Sequence, residues 1–541
     1  MRNTIIFALL LWSAAAFAQN LNPTVEVTNI YAREASGIEK PSQLLEIPDS
    51  LTRFNLDFDY AVNETPYQGA YEFTPYLVEP RPSGRASTER KLYLRVGAGY
   101  PLHPEFAAVW TPVKTQKFRL NIFGDHSSYI GQYHNIALDN AGIFAPDGTY
   151  RQGVDMRSAV GADFMLNWRR GIWRTDVQYN HFQATDLSLG DFTHHVARAS
   201  TRVQNVPGTT KVDYEVGTAA SFIWAPSVLQ EIHTLTDAGM RIRAIRMGVQ
   251  VETVTQPTGT LASFTVTPPK YIYSNDRFSF AGGIKVGFVL RSDPAFAPST
   301  NVPFFPVFPD IQVAWTPVKE HLTLYLNVTG GNEVMSYDTY LSKDPFIAGA
   351  NWYTDVKPQR VLAMLGLRGN IGHRFYYNVS GGYTWIENMW LWAFDPTTLL
   401  PGVSYAGPVH SFIAQANVGW KNRSLDIQAN FRYVNTFSKV TYKTDGLVPF
   451  APQVFSGNAK AFYNWGSRIR AGFTLEGRSQ LKSQQGTVPG FLDLGFQASY
   501  QFSRAVGIWL KLGNLLNQPV QRVPFYAEKG LYFTAGFTFN L

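Results

Sequence analysis

The sequence predicts an all-β fold: a transmembrane antiparallel β-barrel of about 18 strands, in a range of about 16 to 20, behind a proline-rich N-terminal extension. Three observations carry this. From Lys91 to Leu541 the chain repeats segments of about ten residues with alternating apolar and polar side chains, the period of a strand whose two faces meet different media. Tight turns alternate with long loops between those segments. Only 16% of the 541 residues are charged, whereas 15% are aromatic and 44 are glycine; a soluble domain carries about 25% charged residues. The mean hydropathy is −0.14. No internal apolar run reaches about 18 residues, so a membrane, if crossed, is crossed by strands.

Residues 1–18 read as an export signal. Met1 and Arg2 form a basic start, Ile5 to Trp12 an apolar stretch, and Ala16-Phe17-Ala18 a small-residue cleavage site before Gln19. The mature chain is expected to leave the cytoplasm. Residues 19–90 read as a periplasmic extension, because Pro23, Pro41, Pro48, Pro66, Pro75, Pro80 and Pro82 interrupt any long helix or central strand. At about 70 residues the segment is short for a core of its own. Leu56, Phe58, Tyr60, Tyr67, Tyr71, Phe73 and Tyr76 supply anchors with which an extended chain adds to a partner's sheet edge or lines a lumen.

The barrel is assigned to residues 91–541. In Ser424 to Tyr433, Leu425, Ile427, Ala429, Phe431 and Tyr433 share one face, and Asp426, Gln428, Asn430 and Arg432 the other. Phe412 to Trp420, Ile469 to Leu475 and Leu492 to Phe502 repeat the pattern, with aromatics at the ends of the apolar faces where interfacial girdles belong. Arg169-Arg170-Gly171, Gly372-His373, Lys421-Asn422 and Ser503-Arg504 read as tight periplasmic turns. Asp125 to Gly153, Gly330 to Lys357, Met389 to Gly407 and Asn514 to Lys529 read as long external loops. Trp110-Thr111-Pro112-Val113-Lys114 recurs as Trp315-Thr316-Pro317-Val318-Lys319, which we read as two equivalent turns. The stretch from Ala225 to Asp276 is ambiguous in strand number. A soluble propeller would show a blade period of about 40 to 50 residues, which is not seen.

The last segment places Phe533, Ala535, Phe537, Phe539 and Leu541 on one face and Thr534, Gly536, Thr538 and Asn540 on the other. An edge strand needs a neighbour, and closure onto the first strand supplies one.

Several chemistries are disfavoured. With no cysteine there is no disulfide, thiolate metal site or lipidated cysteine. The net charge of +7 drops by one when Arg2 leaves with the leader, too small a value to imply a nucleic-acid partner. His194 and His195 would point to opposite faces of a strand and so cannot share a metal ion. His126 and His134, with Asp125 and Asp139, fall in a stretch read as loop. No Gly-x-Ser-x-Gly is present, and neither enzyme activity nor a cofactor is expected. The candidate lumen-facing binding residues are Arg241, Arg243, Arg368, Asp426, Arg432 and Arg470, although paired wall charges account for such residues more readily. Trp385, Trp390 and Trp392 are candidate external-loop aromatics, as girdle and packing residues or as a stacking surface for a ligand.

Near the end of the chain, Leu512-Gly513-Asn514-Leu515-Leu516-Asn517, then Glu528-Lys529-Gly530 and the final strand, resembles the end of a TonB-dependent receptor barrel. Phe533, Phe537, Phe539 and Leu541 likewise resemble the C-terminal targeting strand of outer-membrane proteins, which usually ends in Phe or Trp. Residues 19–90 are too short and too proline-rich for the family's plug, so the chain resembles the plugless receptor-like barrels of Bacteroidota, whose leader segment is similar to Ile47-Pro48-Asp49-Ser50 and Tyr60 to Pro66. Val25-Glu26-Val27-Thr28 resembles a TonB-contacting box, and Asp49-Ser50-Leu51 an O-glycosylation acceptor at Ser50. The resemblance implies the outer membrane of a Gram-negative bacterium, and transport or binding of a solute there. The alternative is a non-catalytic structural or assembly partner in an outer-membrane complex. Expected partners are outer-membrane lipids, the outer-membrane assembly machinery and a periplasmic or lipoprotein subunit held through residues 19–90.

Overall fold

The computed structural model describes residues 91–541 apart from 116, 187–189, 207–208, 226–228, 258, 293–305, 344–353, 398–400, 438–445, 453, 467 and 523–524. The leader, the extension, Val25-Glu26-Val27-Thr28 and Ser50 lie outside the described residues.

Alternation separates the two faces of each strand. In the strand Leu425–Thr436, Ile427, Phe431 and Tyr433 are exposed on the outer wall. On the inner face Asp426 faces Arg470, and Asn430 Nδ2 donates to Asn458 Oδ1. Antiparallel neighbours joined by hairpins repeat this arrangement around a sheet of 22 strands. The first strand, Leu92–Tyr100, pairs with the last, Tyr532–Asn540, with Leu94 opposite Phe539 and Gly97 opposite Gly536. The Lys91 and Leu92 amides donate to the Leu541 carbonyl at 2.8 and 2.9 Å. Closure leaves the cylinder with no open edge, which a wall facing hydrocarbon requires. Among the described residues no helix is long and apolar enough to cross a membrane.

The strand number corrects the expectation of about 18. The ambiguous stretch holds three paired strands, Leu229–Ile242, Ile245–Gln256 and Gly259–Ser274. Pairing of the third slips between Thr267 and Lys270, at Pro268-Pro269, because proline has no N–H to give the ladder. That slip breaks the two-residue period. Threonine on these strands also weakens the contrast between faces. Part of the stretch read as a loop from Asp125 to Gly153 is instead paired strand, since Phe118–Leu138 and Phe144–Trp168 extend as one long hairpin.

The end bearing Lys91 and Leu541 has the short turns. Successive turns bring to this rim Lys114 and Lys117, Arg169 and Arg170, Lys211, Arg243, Arg277, Lys319, Arg374, Lys421 and Arg423, Arg468, and Arg504. All of these except Lys114 are exposed. Every tryptophan among the exposed large hydrophobic side chains (Trp110, Trp168, Trp173, Trp315, Trp420 and Trp465) lies within a few residues of these turns. The repeated Trp-Thr-Pro-Val-Lys segments both sit here, and pairing slips in each, between Trp110 and Val113 and between Trp315 and Val318. They are equivalently placed bulged strand ends rather than the turns expected, each strand running on to Lys114 or Val318 before the chain reverses.

Candidate functional site: the lumen and its loop end

At the other end the long loops fold inward. Ser336 caps a short helix, Tyr337–Lys343, its Oγ accepting from the Thr339 amide at 3.1 Å. Tyr337, Tyr340 and Leu341 share one face at the i, i+3, i+4 spacing. That face is buried against Val196 and Ile223 of the inner wall, together with Met335, Val403 and Tyr405. Val403 and Tyr405 belong to a hairpin, Met389–Phe394 with Pro401–Ala406, whose Trp390 and Trp392 complete the cluster.

Polar contacts from the wall fix the helix. The Asp338 carboxylate accepts from Arg198 at 2.5 Å and from Ser221 Oγ at 2.8 Å, with His233 Nδ1 at 3.8 Å. Burial opposes ionisation of Asp338, but Arg198 and His233 outweigh it and hold the carboxyl well below the usual range. Glu231 accepts from the backbone amide of Tyr337 at 3.1 Å and from Gln256 at 2.7 Å.

A second cluster draws on five loop segments. Phe394 packs among Phe144, Phe525 and Phe450, with ring centroids at 5.6, 5.0 and 5.4 Å. Leu481 and Val488, from a two-stranded turn, close over it. Gln521 Nε2 donates to the Phe144 carbonyl at 2.7 Å. Its neighbour Arg522 pairs with Asp493 at 2.7 Å, Glu528 at 3.0 Å and also Glu476. Burying side chains of this size stabilises by about 1.5–3 kcal/mol each, so the described loop segments hold together as a packed layer at this end of the barrel.

Beside this layer, at the closing seam, His103 is fully buried and its Nδ1 lies 2.7 Å from Thr534 Oγ1. Burial first, then the Lys529 charge, push its imidazole down to about 3. Glu105 reaches Lys511 at 3.2 Å and Arg95 at 3.7 Å.

The residues singled out from sequence fall in different places. Asp426 and Arg470 meet at 3.7 Å on the inner wall, where the Arg470 guanidinium also lies 4.6 Å from the Phe462 ring centroid. Arg368 sits over the Tyr325 ring at 5.6 Å. Arg432 is on the inner face opposite Ser456. Arg241 is on the inner face near the rim, and its Nε donates to the Arg243 carbonyl at 3.1 Å. Arg243 does not face the lumen: it occupies the exposed two-residue turn at φ 55°, a position that period-2 counting cannot assign to either face. Trp385 stacks on His410 at 5.4 Å on the outer wall, away from Trp390 and Trp392 on the inward hairpin. Phe533, Phe537 and Leu541 are exposed on the outer wall of the seam, and Phe539 stacks on Phe537. His194 is buried near the Tyr337 hydroxyl, whereas His195 stacks on Trp224 on the outside.

Other basic wall residues are also matched to acids: Lys270 with Asp310 at 2.7 Å, Arg291 with Asp355 at 2.8 Å and Arg360 with Glu387 at 3.1 Å. Sequence reading missed the mouth layer. Its only local trace is the apolar run Met389–Phe394 within a stretch otherwise punctuated like a loop.

No family model matches the chain, and no curated protein matches it either. Solved structures do. An iron transporter, FrpB from Neisseria meningitidis, aligns with a TM-score of 0.57 at 9% identity, over 84% of this chain and 82% of that one. The siderophore receptor PirA from Acinetobacter baumannii and the copper transporter OprC each give 0.55, at 10% and 11% identity, over 84% of this chain and 80% of theirs. The fold is therefore that of TonB-dependent receptor barrels. With its closed sheet and apolar outer wall, the chain is a barrel of the Gram-negative outer membrane.

Proposed function

We propose that the chain is a receptor-like barrel that binds or passes a polar solute, without catalysis, and that its own loops form the outer gate. The observation carrying this reading is the packed loop layer at the long-loop end of the barrel. A static pore has no use for a buried aromatic cluster built from five loop segments, whereas a barrel that admits a solute selectively does. The iron, siderophore and copper proteins that share the fold support a solute as cargo. Arg368 and Arg432 on the inner wall favour polar or anionic cargo. In this reading residues 19–90 are a periplasmic contact segment and not a plug, which their length and prolines support.

Single-channel recording tests the gate. The intact chain should conduct little, and deletion of residues 389–406 should produce large, stable openings. Equal conductance in both forms would count against the loops as a gate.

The packed loop layer also fits a second reading, a sealed structural or assembly partner whose extension holds a periplasmic or lipoprotein subunit. Crosslinking with co-purification separates the two. A stoichiometric partner lost on deletion of residues 24–85, with no conductance in either form, would favour assembly.

A further inference from the structure

We infer that the short-turn rim is an annular binding site for anionic phospholipid headgroups of the inner leaflet. Short turns face the periplasm in barrels of this kind, which places this rim at the inner leaflet. The exposed tryptophans, among them Trp110, Trp315 and Trp465, mark the level at which hydrocarbon gives way to headgroups. Just beyond that level every connecting turn presents Lys or Arg. Lys117, Arg170, Arg277, Arg374, Arg423 and Arg504 are exposed examples from six separate turns. On the same turns the acidic side chains are Asp276, which pairs with Lys319 at 2.8 Å, and Glu320.

Two features identify the occupant. The cations run all round the circumference, whereas a protein partner or the chain's own acidic extension would need a patch on one side. The cations also sit directly beneath the tryptophan belt, where lipid phosphates lie and where each nearby cation attracts anionic lipid. The loop end is built differently. Among the described residues its outer wall carries Tyr179 bonded to His195 at 2.8 Å and Tyr383 bonded to His410 at 2.7 Å, hydroxyl and imidazole groups instead of the Lys and Arg of the short-turn rim. The two leaflets thus meet different chemistry.

The tryptophans supply the probe. The full chain is reconstituted in phosphatidylcholine bilayers containing dibrominated phosphatidylglycerol, and its fluorescence quenching is compared with that by dibrominated phosphatidylcholine. The relative binding constant for the anionic lipid should be about threefold at low salt and fall towards one at about 0.5 M salt, where screening is short-ranged. It should also fall towards one when Lys117, Arg170, Arg277, Arg374, Arg423 and Arg504 are all changed to Gln, with heat-modifiable migration reporting an intact barrel. If that variant does not fold, the salt series on the unaltered chain decides alone. A value of one at low salt overturns the proposal, as does a preference that survives high salt or the Gln variant. A preference that appears only after deletion of residues 24–85 also overturns it, by making the extension the rim's occupant.

Discussion

Gly97 and Gly536 face each other across the closing seam, and the Trp509 indole lies over them with the Arg95 guanidinium 3.8 Å from its ring centroid. A Cβ on Gly97 would fall 2.3 Å from Trp509 Cζ2 and 2.8 Å from the Ala535 carbonyl. Gly97→Val should therefore destabilise closure by about 1–3 kcal/mol, read as a lower midpoint of heat modification on gels. His103 gives the same seam a dependence on acidity. The unfolded imidazole takes up a proton near its ordinary value of 6.5, the buried one only at about 3. Between those values the unfolded chain holds the extra proton, so stability rises with pH and is lost on acidification through that window. His103→Gln should flatten the midpoint between pH 6.5 and 3 relative to the unaltered chain, and parallel curves would exclude the histidine as the cause.

At the scale of elements, the mouth layer is several loops leaning on one ring. Phe394 is 1% exposed, and truncation to alanine removes its contacts with three other loop aromatics at once. Phe394→Ala should cost the layer about 3–5 kcal/mol and raise channel opening, while the barrel's heat-modification midpoint holds. Asp338→Asn removes the charge that Arg198 and His233 face, and should release the helix with a smaller gain in conductance. A single-channel record on each variant checks both. The wall was legible in the sequence because lipid and lumen impose opposite demands every second residue, as at Ile427 and Asp426. The layer was not, because the contacts of Phe394 with Phe144 and Phe525 join loops far apart in sequence and leave no local period. Arg243 shows the same limit at a turn, where alternation stops.

At the scale of the whole molecule, the strand total was underestimated where Pro268-Pro269 interrupts the pleat, while closure itself was readable from the unpaired edge of the final strand. Deleting residues 24–85 while keeping the export signal should leave a barrel that still inserts, because the Lys91 and Leu92 amides already find their partner in the Leu541 carbonyl. Heat-modifiable migration after membrane extraction checks this. Loss of insertion would make the extension part of the barrel's own core.

That meeting of Lys91 with Leu541 has a consequence for connectivity. Neighbouring strands elsewhere in the cylinder are joined by a hairpin, and the seam between Leu92–Tyr100 and Tyr532–Asn540 differs only in lacking a covalent link. The position of the break in the ring is thus nearly arbitrary. A circular permutant that joins Leu541 to Lys91 through a few glycines, and begins at Gly171 after the turn Arg169-Arg170, should rebuild the same cylinder with its seam moved four strands along.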